Sequence, residues 1–295
     1  MATILTDLKE NYRRGNLALR LIYWNAVPFI VLNLLLIGAR LFNGEVAGWM
    51  EWLELPASPL RLLTQPWSLL TYMFVHFDLW HFLFNMLWLY WFGNLFLQFF
   101  STKHLRGLYL LGGLLGAIFF VGAYNLFPLF RPMADFSYLM GASAAVLAVA
   151  CAVAYREPDY PVNLLLLGGV RLKYLTLAVV VIDLLMVTGQ NGGGHIAHLG
   201  GALAGLWFAA SLSKGRDLTA GLNRLLDLFS YRPAPRRPKM TIHGTGNPRQ
   251  ADYDFNARRQ AQQGEVDRIL DKLKKSGYES LTEEEKRSLF DASKR

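Results

Sequence analysis

The amino-acid sequence predicts an all-α membrane protein, in which six transmembrane helices are followed by a short soluble helical tail. Hydrophobic residues make up 53% of the 295 positions and charged residues only 18%, which is too few charges for a soluble domain of this size. The charges are also unevenly distributed, with 22 among residues 1–213 and 30 among residues 214–295. Six apolar segments lie in the charge-poor part. An apolar body with a polar tail explains all three observations.

The six apolar segments are the predicted membrane helices. They cover roughly residues 24–42, 79–100, 105–125, 141–155, 172–188 and 194–213. Most approach the ~20 residues that a helix needs to cross a bilayer core of ~30 Å. The fourth is short, and residues 135–140 are a candidate upstream extension. A polar, Arg-containing stretch precedes the first segment, which argues against a cleaved signal peptide.

The Lys and Arg residues predict an orientation. They are most abundant before the first segment, between the second and third, between the fourth and fifth, and after the sixth. Because positive charge stays on the cytoplasmic side, both termini are expected to face the cytoplasm. The loop over 43–66 would then lie outside, with its Trp49 and Trp52 in the membrane interface.

The tail has its own pattern. Three arginines and three prolines lie within 232–239, which predicts a basic linker, and residues 247–263 are polar and expected to be loosely ordered. Apolar residues then recur at helical spacing over 266–273, and Thr282 with Glu285 matches a capping box. We expect a small helical hairpin that binds an unknown cytoplasmic partner or docks on the membrane body.

We therefore divide the chain into a cytoplasmic N-terminal segment (1–23), a six-helix domain (24–213), a basic Pro-containing linker (214–263) and a small cytoplasmic hairpin (264–295). The excess positive charge lies mainly after residue 213, with no nucleic-acid motif beside it, so an anionic membrane surface is a better partner for it than nucleic acid. The single cysteine, Cys151, excludes an intramolecular disulfide and a cysteine-based metal cluster.

Polar residues inside the apolar segments are the functional candidates, because they are costly in a membrane. His81 and Asn85 lie one turn apart in the second segment, Ser143 opens the fourth and His198 lies near the start of the sixth. In the predicted orientation these side chains reach one depth in the outer half of the membrane. A hydroxyl, two imidazoles and a carboxamide are the groups that acyl transfer requires.

These residues also resemble the motifs of the rhomboid family of intramembrane serine proteases, over about residues 20–213. The stretch from His76 through His81 to Asn85 resembles the family's HxxxxHxxxN signature, and residues 141–144, Gly-Ala-Ser-Ala, resemble its GxSx motif. The run from His198 through Gly201 to Gly205 resembles its HxxGxxxG motif. The three motifs occur in order and on alternate predicted membrane segments. The resemblance implies a six-helix rhomboid-like bundle in the plasma (inner) membrane of a bacterium.

The resemblance also implies roles for individual residues. Ser143 would be the nucleophile and His198 the general base and then acid. His81, Asn85 and the Ser143 backbone N–H would form the oxyanion hole. Site-supporting positions would be His76, Gly141, Gly201 and Gly205. The substrates would be membrane proteins in the lipid bilayer, cut by a Ser-His dyad without a cofactor, metal or essential carboxylate.

Two departures from the family pattern affect the site. Many members have glycine after the serine and an aromatic residue four positions after it, where this chain has Ala144 and Leu147. Alanine is small enough to keep a close helix contact, whereas leucine packs on an imidazole without stacking.

Several alternatives remain open at this point. Ser143 and His198 are also compatible with simple helix packing, and His195 is expected to be solvated or interfacial. Asp183 is expected to be a hydrogen-bonded carboxyl group in the bundle interior, where both the ionised and the protonated forms are open. A metal site formed by His81, His195 and His198 lacks an obvious carboxylate partner. At the level of function, one alternative is a non-catalytic rhomboid-like binder or chaperone of membrane proteins. Another is a channel or transporter, which would need a chain of carboxylates where Asp183 is nearly alone.

Overall fold

The computed structural model describes residues 3–44, 47–164, 168–229 and 248–293. The protein is mostly helical and forms two compact units, Met1–Tyr231 and Arg232–Arg295. The helices of the first unit are α1 (Ile4–Arg14), α2 (Leu17–Leu41), α3 (Ala47–Met50), α4 (Pro59–Thr64), α5 (Ser68–Thr71), α6 (Leu79–Phe99), α7 (Thr102–Leu126), α8 (Ser143–Arg156), α9 (Leu172–Leu185), α10 (Gly192–Leu212) and α11 (Ala220–Phe229). Single 3-10 turns lie at Tyr72–Phe74 and Arg131–Met133.

Within the ranges that the structure describes, two short antiparallel ribbons connect these helices. Strand β1 (Leu55–Pro56) pairs with β2 (Tyr138–Leu139), with Leu55 opposite Leu139. Strand β3 (Pro161–Leu164) pairs with β4 (Gly168–Arg171). The predicted upstream extension of the fourth segment over 135–140 is wrong, because Tyr138 and Leu139 form the paired strand β2 and are not helical.

Each of the six predicted apolar segments covers most of one observed helix. In chain order these helices are α2, α6, α7, α8, α9 and α10. The first begins at Leu17 rather than residue 24, because the Asn16 side chain accepts a hydrogen bond from the Leu19 N–H and caps the helix there. The predicted boundary between 1–23 and the helical domain therefore falls inside α2. The segment before it contains the amphipathic helix α1.

Among the described residues, three helices, α2, α7 and α10, are both long and apolar enough to cross a membrane. Helix α8 is apolar but has only 14 residues, and α6 is long but carries His, Asn, Trp and Tyr side chains that lower its hydropathy. Much of α2 exposes apolar side chains such as Val27 and Leu34 to the outside of the bundle. A helical membrane bundle fits these features, and the count of six spans stays a prediction.

Helix α8 lies at the centre of the bundle, with every residue from Ala144 to Ala154 buried. Helix α10 packs against it through glycines. A Cβ atom on Gly201 would lie 2.1 Å from the Ala144 carbonyl oxygen, and one on Gly205 would lie 2.1 Å from the Ala148 carbonyl oxygen. Any side chain at these positions would push the two backbones apart. The glycines therefore fix the distance between the helices that carry Ser143 and His198.

The second unit contains α12 (Pro248–Ser276), a 3-10 turn (Tyr278–Ser280) and α13 (Glu283–Ser293). The predicted capping box is present, since the Thr282 N–H donates to Glu285 Oε2 at 2.8 Å and the Glu285 N–H donates to Thr282 Oγ1 at 3.3 Å. Lys272 also donates to Glu285 at 2.8 Å and lowers the pKa of that carboxyl group. Ile269 and Leu281 are buried in the hairpin.

Two boundaries in the tail differ from those predicted. Helix α12 begins at Pro248, so the expected loose stretch over 247–263 is largely helical, and the hairpin extends upstream of residue 264. Its first half is rich in Ala, Arg and Gln, which favour helix, but it lacks the apolar period that pattern analysis relies on. Helix α11 also falls in the predicted linker. The Arg- and Pro-rich stretch at 232–239 lies outside the described residues.

Candidate active site

Ser143 and His198 face each other across the α8–α10 contact. Ser143 is the first residue of α8, and His198 lies at the end of the second turn of α10. Their side chains are joined by a hydrogen bond of 2.7 Å between Ser143 Oγ and His198 Nε2. A hydroxyl whose hydrogen-bond partner is an imidazole nitrogen is the arrangement of an activated nucleophile and its base.

The backbone just before Ser143 is held in place by two hydrogen bonds. The Gly141 N–H donates to the Tyr72 carbonyl at 2.8 Å, and the Ala142 N–H donates to His76 Nε2 at 3.2 Å. His76 is completely buried, so this contact is shielded from water. The structure thus places His76 behind the serine loop, where it supports the backbone.

Gly141 is required at its position for two reasons. Its φ of +110° is a conformation that L side chains rarely adopt. In addition, a Cβ atom there would lie 2.7 Å from His81 Cε1. The glycine lets the chain turn sharply into α8 while the His81 ring lies directly against the backbone.

His81 and Asn85 lie on α6 and face the same cavity as Ser143 and His198. Asp78 caps this helix by accepting from the His81 N–H at 2.6 Å, and the Asn85 carboxamide donates to the His81 carbonyl at 2.9 Å. The cavity has a volume of about 210 Å³. Its walls are formed by His81, Phe84, Asn85, Trp88, Ser143, Val146, Leu147, Val179 and His198. The structure therefore brings the four predicted reactive side chains to one cavity.

The start of α8 adds a polar feature to the cavity. The first N–H groups of a helix have no acceptor within the helix, and they carry the positive end of the helix dipole. Because Ser143 opens α8, its own N–H belongs to this group. A developing negative charge beside Ser143 would therefore lie at a helix N-terminus.

Asp183 also lies at the site. Its carboxylate Oδ1 accepts hydrogen bonds of 2.8 Å from His198 Nδ1 and 2.8 Å from His195 Nδ1. The Asp183 side chain is only 5% exposed. The sequence predicts that Asp183 lies in the bundle interior, but not that it contacts His198. His195, predicted to be solvated or interfacial, is hydrogen-bonded to the same carboxylate. The available signal was the position of Asp183 near the outer end of the fifth predicted segment.

The same three side chains are the candidates for a metal site. Ligand atoms of Asp183, His195 and His198 all lie within 4.8 Å of one another, the one such group of three among the described residues. The two 2.8 Å contacts are hydrogen-bond distances. Ligands around a tetrahedral zinc with bonds of 2.0–2.1 Å lie further apart, at about 3.3 Å. The arrangement described is a hydrogen-bonded cluster.

The two departures from the motif pattern are accommodated locally. The methyl group of Ala144 is matched by Gly116 on α7, where an added Cβ would lie 2.7 Å from Ala144 Cβ. Leu147 is buried and lines the site cavity. Sequence reasoning missed Gly116, although its spacing of four from Gly112 is a small-xxx-small signal.

Comparisons with known proteins agree with this architecture. A family model described as the Rhomboid domain matches residues 63–215, and one described as a family of unknown function (DUF6576) matches residues 250–295. The chain is 29% identical over 158 residues to RHOMBOID-like protein 12, mitochondrial, of Arabidopsis thaliana. This match covers 50% of the chain and 47% of the relative, so the chain spans about half the length of that protein.

Proposed function

This chain belongs to the rhomboid family of integral membrane proteins, and from that membership we propose that it is an intramembrane serine endopeptidase. Ser143 and His198 would form its catalytic dyad. The observation that carries the proposal is the 2.7 Å hydrogen bond between Ser143 Oγ and His198 Nε2 beside a cavity. Serine-type hydrolysis of a peptide bond needs such a pair and space for the substrate, whereas a purely structural helix contact does not need a cavity next to it.

The proposed reaction begins when the Ser143 oxygen attacks the scissile carbonyl carbon while His198 Nε2 takes the hydroxyl proton. The tetrahedral oxyanion is stabilised by His81, Asn85 and the Ser143 N–H. As the C–N bond breaks, His198 gives its proton to the leaving amine. Water then attacks the acyl-enzyme with His198 as base, releases the carboxylate product and restores the Ser143 hydroxyl.

The position of the cavity suggests how a substrate reaches the serine. Phe84 and Trp88 of α6 form one wall and Val179 of α9 another, so the cavity lies between two helices of the bundle. Extended backbone within a membrane is tolerated only where protein lines it. We therefore propose that single-span membrane proteins are the substrates and that they are cut near one end of their transmembrane helix, where the helix unwinds into the cavity.

The topology and compartment are part of the proposal. The Lys and Arg pattern supports cytoplasmic termini, which would put the site in the outer half of the membrane. We propose a bacterial plasma membrane, while the relative named above is mitochondrial. The tail hairpin would bind a cytoplasmic partner, with lipid around the helical bundle.

The proposal can be tested without knowing the natural substrate. A fluorophosphonate probe reacts with an activated serine, so the purified full chain should be labelled at Ser143, and mass spectrometry of the labelled peptide locates the adduct. In proteoliposomes, a single-span model substrate should be cleaved by the wild-type protein. Ser143→Ala and His198→Ala should each abolish cleavage.

Matched controls exclude general damage to the fold. His104→Ala removes a histidine whose side chain is 24% exposed, as is that of His198, but which lies at the start of α7. Ser213→Ala removes a serine at the other end of α10. Both controls should keep cleavage. Substantial cleavage by folded Ser143→Ala would refute the protease proposal, and binding of the substrate by wild type without cleavage or labelling would favour the non-catalytic binder.

A further inference from the structure

We propose that Asp183 is a positioning residue that holds His198 in the tautomer required for catalysis, so that this chain has a third polar member behind its serine and histidine. The proposal rests on the proposed function and deepens it. The resemblance to rhomboids implies a dyad without an essential carboxylate. In this chain, however, hydrogen bonds join Asp183 to His198 and His198 to Ser143.

The two hydrogen-bond partners of the His198 ring determine where its proton lies. A carboxylate can only accept hydrogen bonds, so the 2.8 Å contact between Asp183 Oδ1 and His198 Nδ1 requires a proton on Nδ1. A neutral imidazole carries one proton, which leaves Nε2 as an acceptor. Nε2 is the atom that lies 2.7 Å from Ser143 Oγ, so the serine hydroxyl donates to it. The carboxylate thereby selects the one neutral tautomer that can act as base toward Ser143.

The Asp183 side chain is 5% exposed, and its Oδ2 atom has no hydrogen-bond partner among the described residues. Within the same residues, the ion partners of this carboxylate are imidazoles rather than Lys or Arg. Burying a carboxylate is unfavourable unless its hydrogen bonds compensate. Neutral side chains could join the two helices without this unfavourable burial. A buried carboxylate at this position therefore favours a role that needs its negative charge.

His195 provides an internal comparison for His198. It donates from Nδ1 to the same Asp183 oxygen at 2.8 Å and lies one turn before His198 on α10. If Asp183 only tied α9 to α10, the two histidines would be equivalent anchors. Positioning makes them different, because only His198 also contacts Ser143.

The experiment uses the full chain in detergent with a fluorophosphonate probe and four proteins: wild type, Asp183→Asn, His195→Ala and Thr176→Val. In the labelling step the Ser143 oxygen bonds to phosphorus, the P–F bond breaks, fluoride leaves and His198 takes the proton. Asparagine keeps the shape of Asp183 but removes its charge. Thr176 is a matched control, because it is also buried on α9 and lies seven residues before Asp183.

We expect Asp183→Asn to lower the maximal labelling rate by about 10³–10⁴-fold, with little change in probe affinity, as amide replacement does in Ser-His-Asp proteases. Thr176→Val should label at the wild-type rate. His195→Ala should lose far less rate than Asp183→Asn, even where both lower the melting temperature equally. Parallel losses of rate and stability in Asp183→Asn and His195→Ala would show a structural tie and overturn the inference.

A spectroscopic readout tests the tautomer directly. ¹⁵N shifts of labelled histidine should show His198 protonated at Nδ1 in the resting wild-type protein and at Nε2 in a larger fraction of Asp183→Asn. A wild-type His198 protonated at Nε2 would overturn the inference even where the variant does not fold. If wild type neither reacts with the probe nor cleaves, the proposed function fails, while this measurement still decides whether Asp183 sets the tautomer.

Discussion

The two ends of the bundle hold polar clusters of opposite character. The site end, where α10 begins, contains the buried Asp183 carboxylate between two imidazoles. The distal end, where α10 ends and α11 packs on α7, contains Arg106, which donates to Asn223 Oδ1 at 2.9 Å and to Asp227 Oδ1 at 2.8 Å. Asp227 is 47% exposed, and Arg106 and then Lys103 lower its pKa.

The difference separates a functional arrangement from a structural one. At the distal end opposite charges are paired near water, where ion pairs contribute little and mainly fix how α11 lies. At the site end a carboxylate is buried with hydrogen bonds but without a cationic side chain of Lys or Arg among the described residues. Buried ionisable groups that are unfavourable for stability are frequent at functional sites.

The largest effect is expected for the dyad. Ser143→Ala and His198→Ala should each lower kcat by at least about 10⁴-fold, and the double variant should be no worse than either one, because the two groups act as a unit. Asp227→Asn at the distal end should change kcat by less than about twofold. Cleavage kinetics in proteoliposomes measure all four proteins. Additive losses in the double variant would mean that the two side chains act separately.

Two buried asparagines give a matched pair. Asn85→Ala should lower kcat by about 10²–10³-fold, the usual loss for one oxyanion donor, with an almost unchanged melting temperature. Asn223 donates to the Lys103 carbonyl at 3.0 Å and accepts from Arg106, so Asn223→Ala should cost about 1–3 kcal/mol of stability and leave kcat intact. If Asn85→Ala instead lowered the melting temperature and kept the wild-type kcat per folded molecule, Asn85 would be structural like Asn223.

Two glycines compare the packing at the ends. A Cβ on Gly201 would meet the Ala144 carbonyl oxygen at 2.1 Å, whereas one on Gly107 would meet the Thr219 side chain at 2.4 Å. Since the Ala144 backbone cannot move without shifting Ser143, Gly201→Ala should lower kcat by about 10²-fold and also destabilise the protein. Gly107→Ala should lower the melting temperature alone. Normal turnover by folded Gly201→Ala would show that the α8–α10 spacing tolerates more than the geometry implies.

Two carboxyl groups outside the proposed site should also differ in how their effect on stability depends on pH. Burial, with a smaller contribution from Glu51, raises the pKa of Glu54 to about 7 in the loop before β1. Its folded-state pKa lies above the unfolded value, so its stabilising effect is complete below pH 4.5 and is lost as the pH rises through about 7. Glu54→Gln should therefore raise the melting temperature at pH 8, by about 2–4 °C, and change it little at pH 4.5.

Asp227 gives the opposite sign. Its pKa is lowered on folding, so its contribution is present above the unfolded value and is lost as the pH falls through the folded one. Asp227→Asn should therefore lower the melting temperature at pH 8 and have no effect once both states are protonated. Melting curves of both variants across pH 3–8 provide the check, and shifts of the same sign would contradict the assigned directions.

The smallest effect is expected for the tail. A chain that ends at residue 231 keeps the first compact unit and all of the proposed site. It should insert into membranes and cleave the model substrate within about twofold of the full chain, because the site residues all lie before residue 213. A folded but inactive truncated protein would instead show that the second unit is coupled to the site.

The sequence determined the parts of this protein that depend on local order. The lengths of the apolar segments predicted where the helices lie. The motif spacings predicted Ser143, His198, His81 and Asn85 as site residues, and the structure places them around one cavity. Helix ends were less predictable, because they depend on caps and helix propensity. Asn16 starts α2 early, and the polar first half of α12 has no apolar period to reveal it.

Only the tertiary structure decided the contacts between elements that are distant in the sequence. The β1–β2 pair joins Leu55 to Leu139, and the contact between Asp183 and His198 joins two helices whose crossing no spacing rule specifies. The close approach at Gly201 sets where the His198 ring lies, and the crossing of α9 sets which atom the Asp183 carboxylate meets. A spacing rule specifies which face of one helix a side chain shares, whereas hydrogen bonds between helices depend on packing distances of a few ångströms that arise only when the whole bundle is assembled.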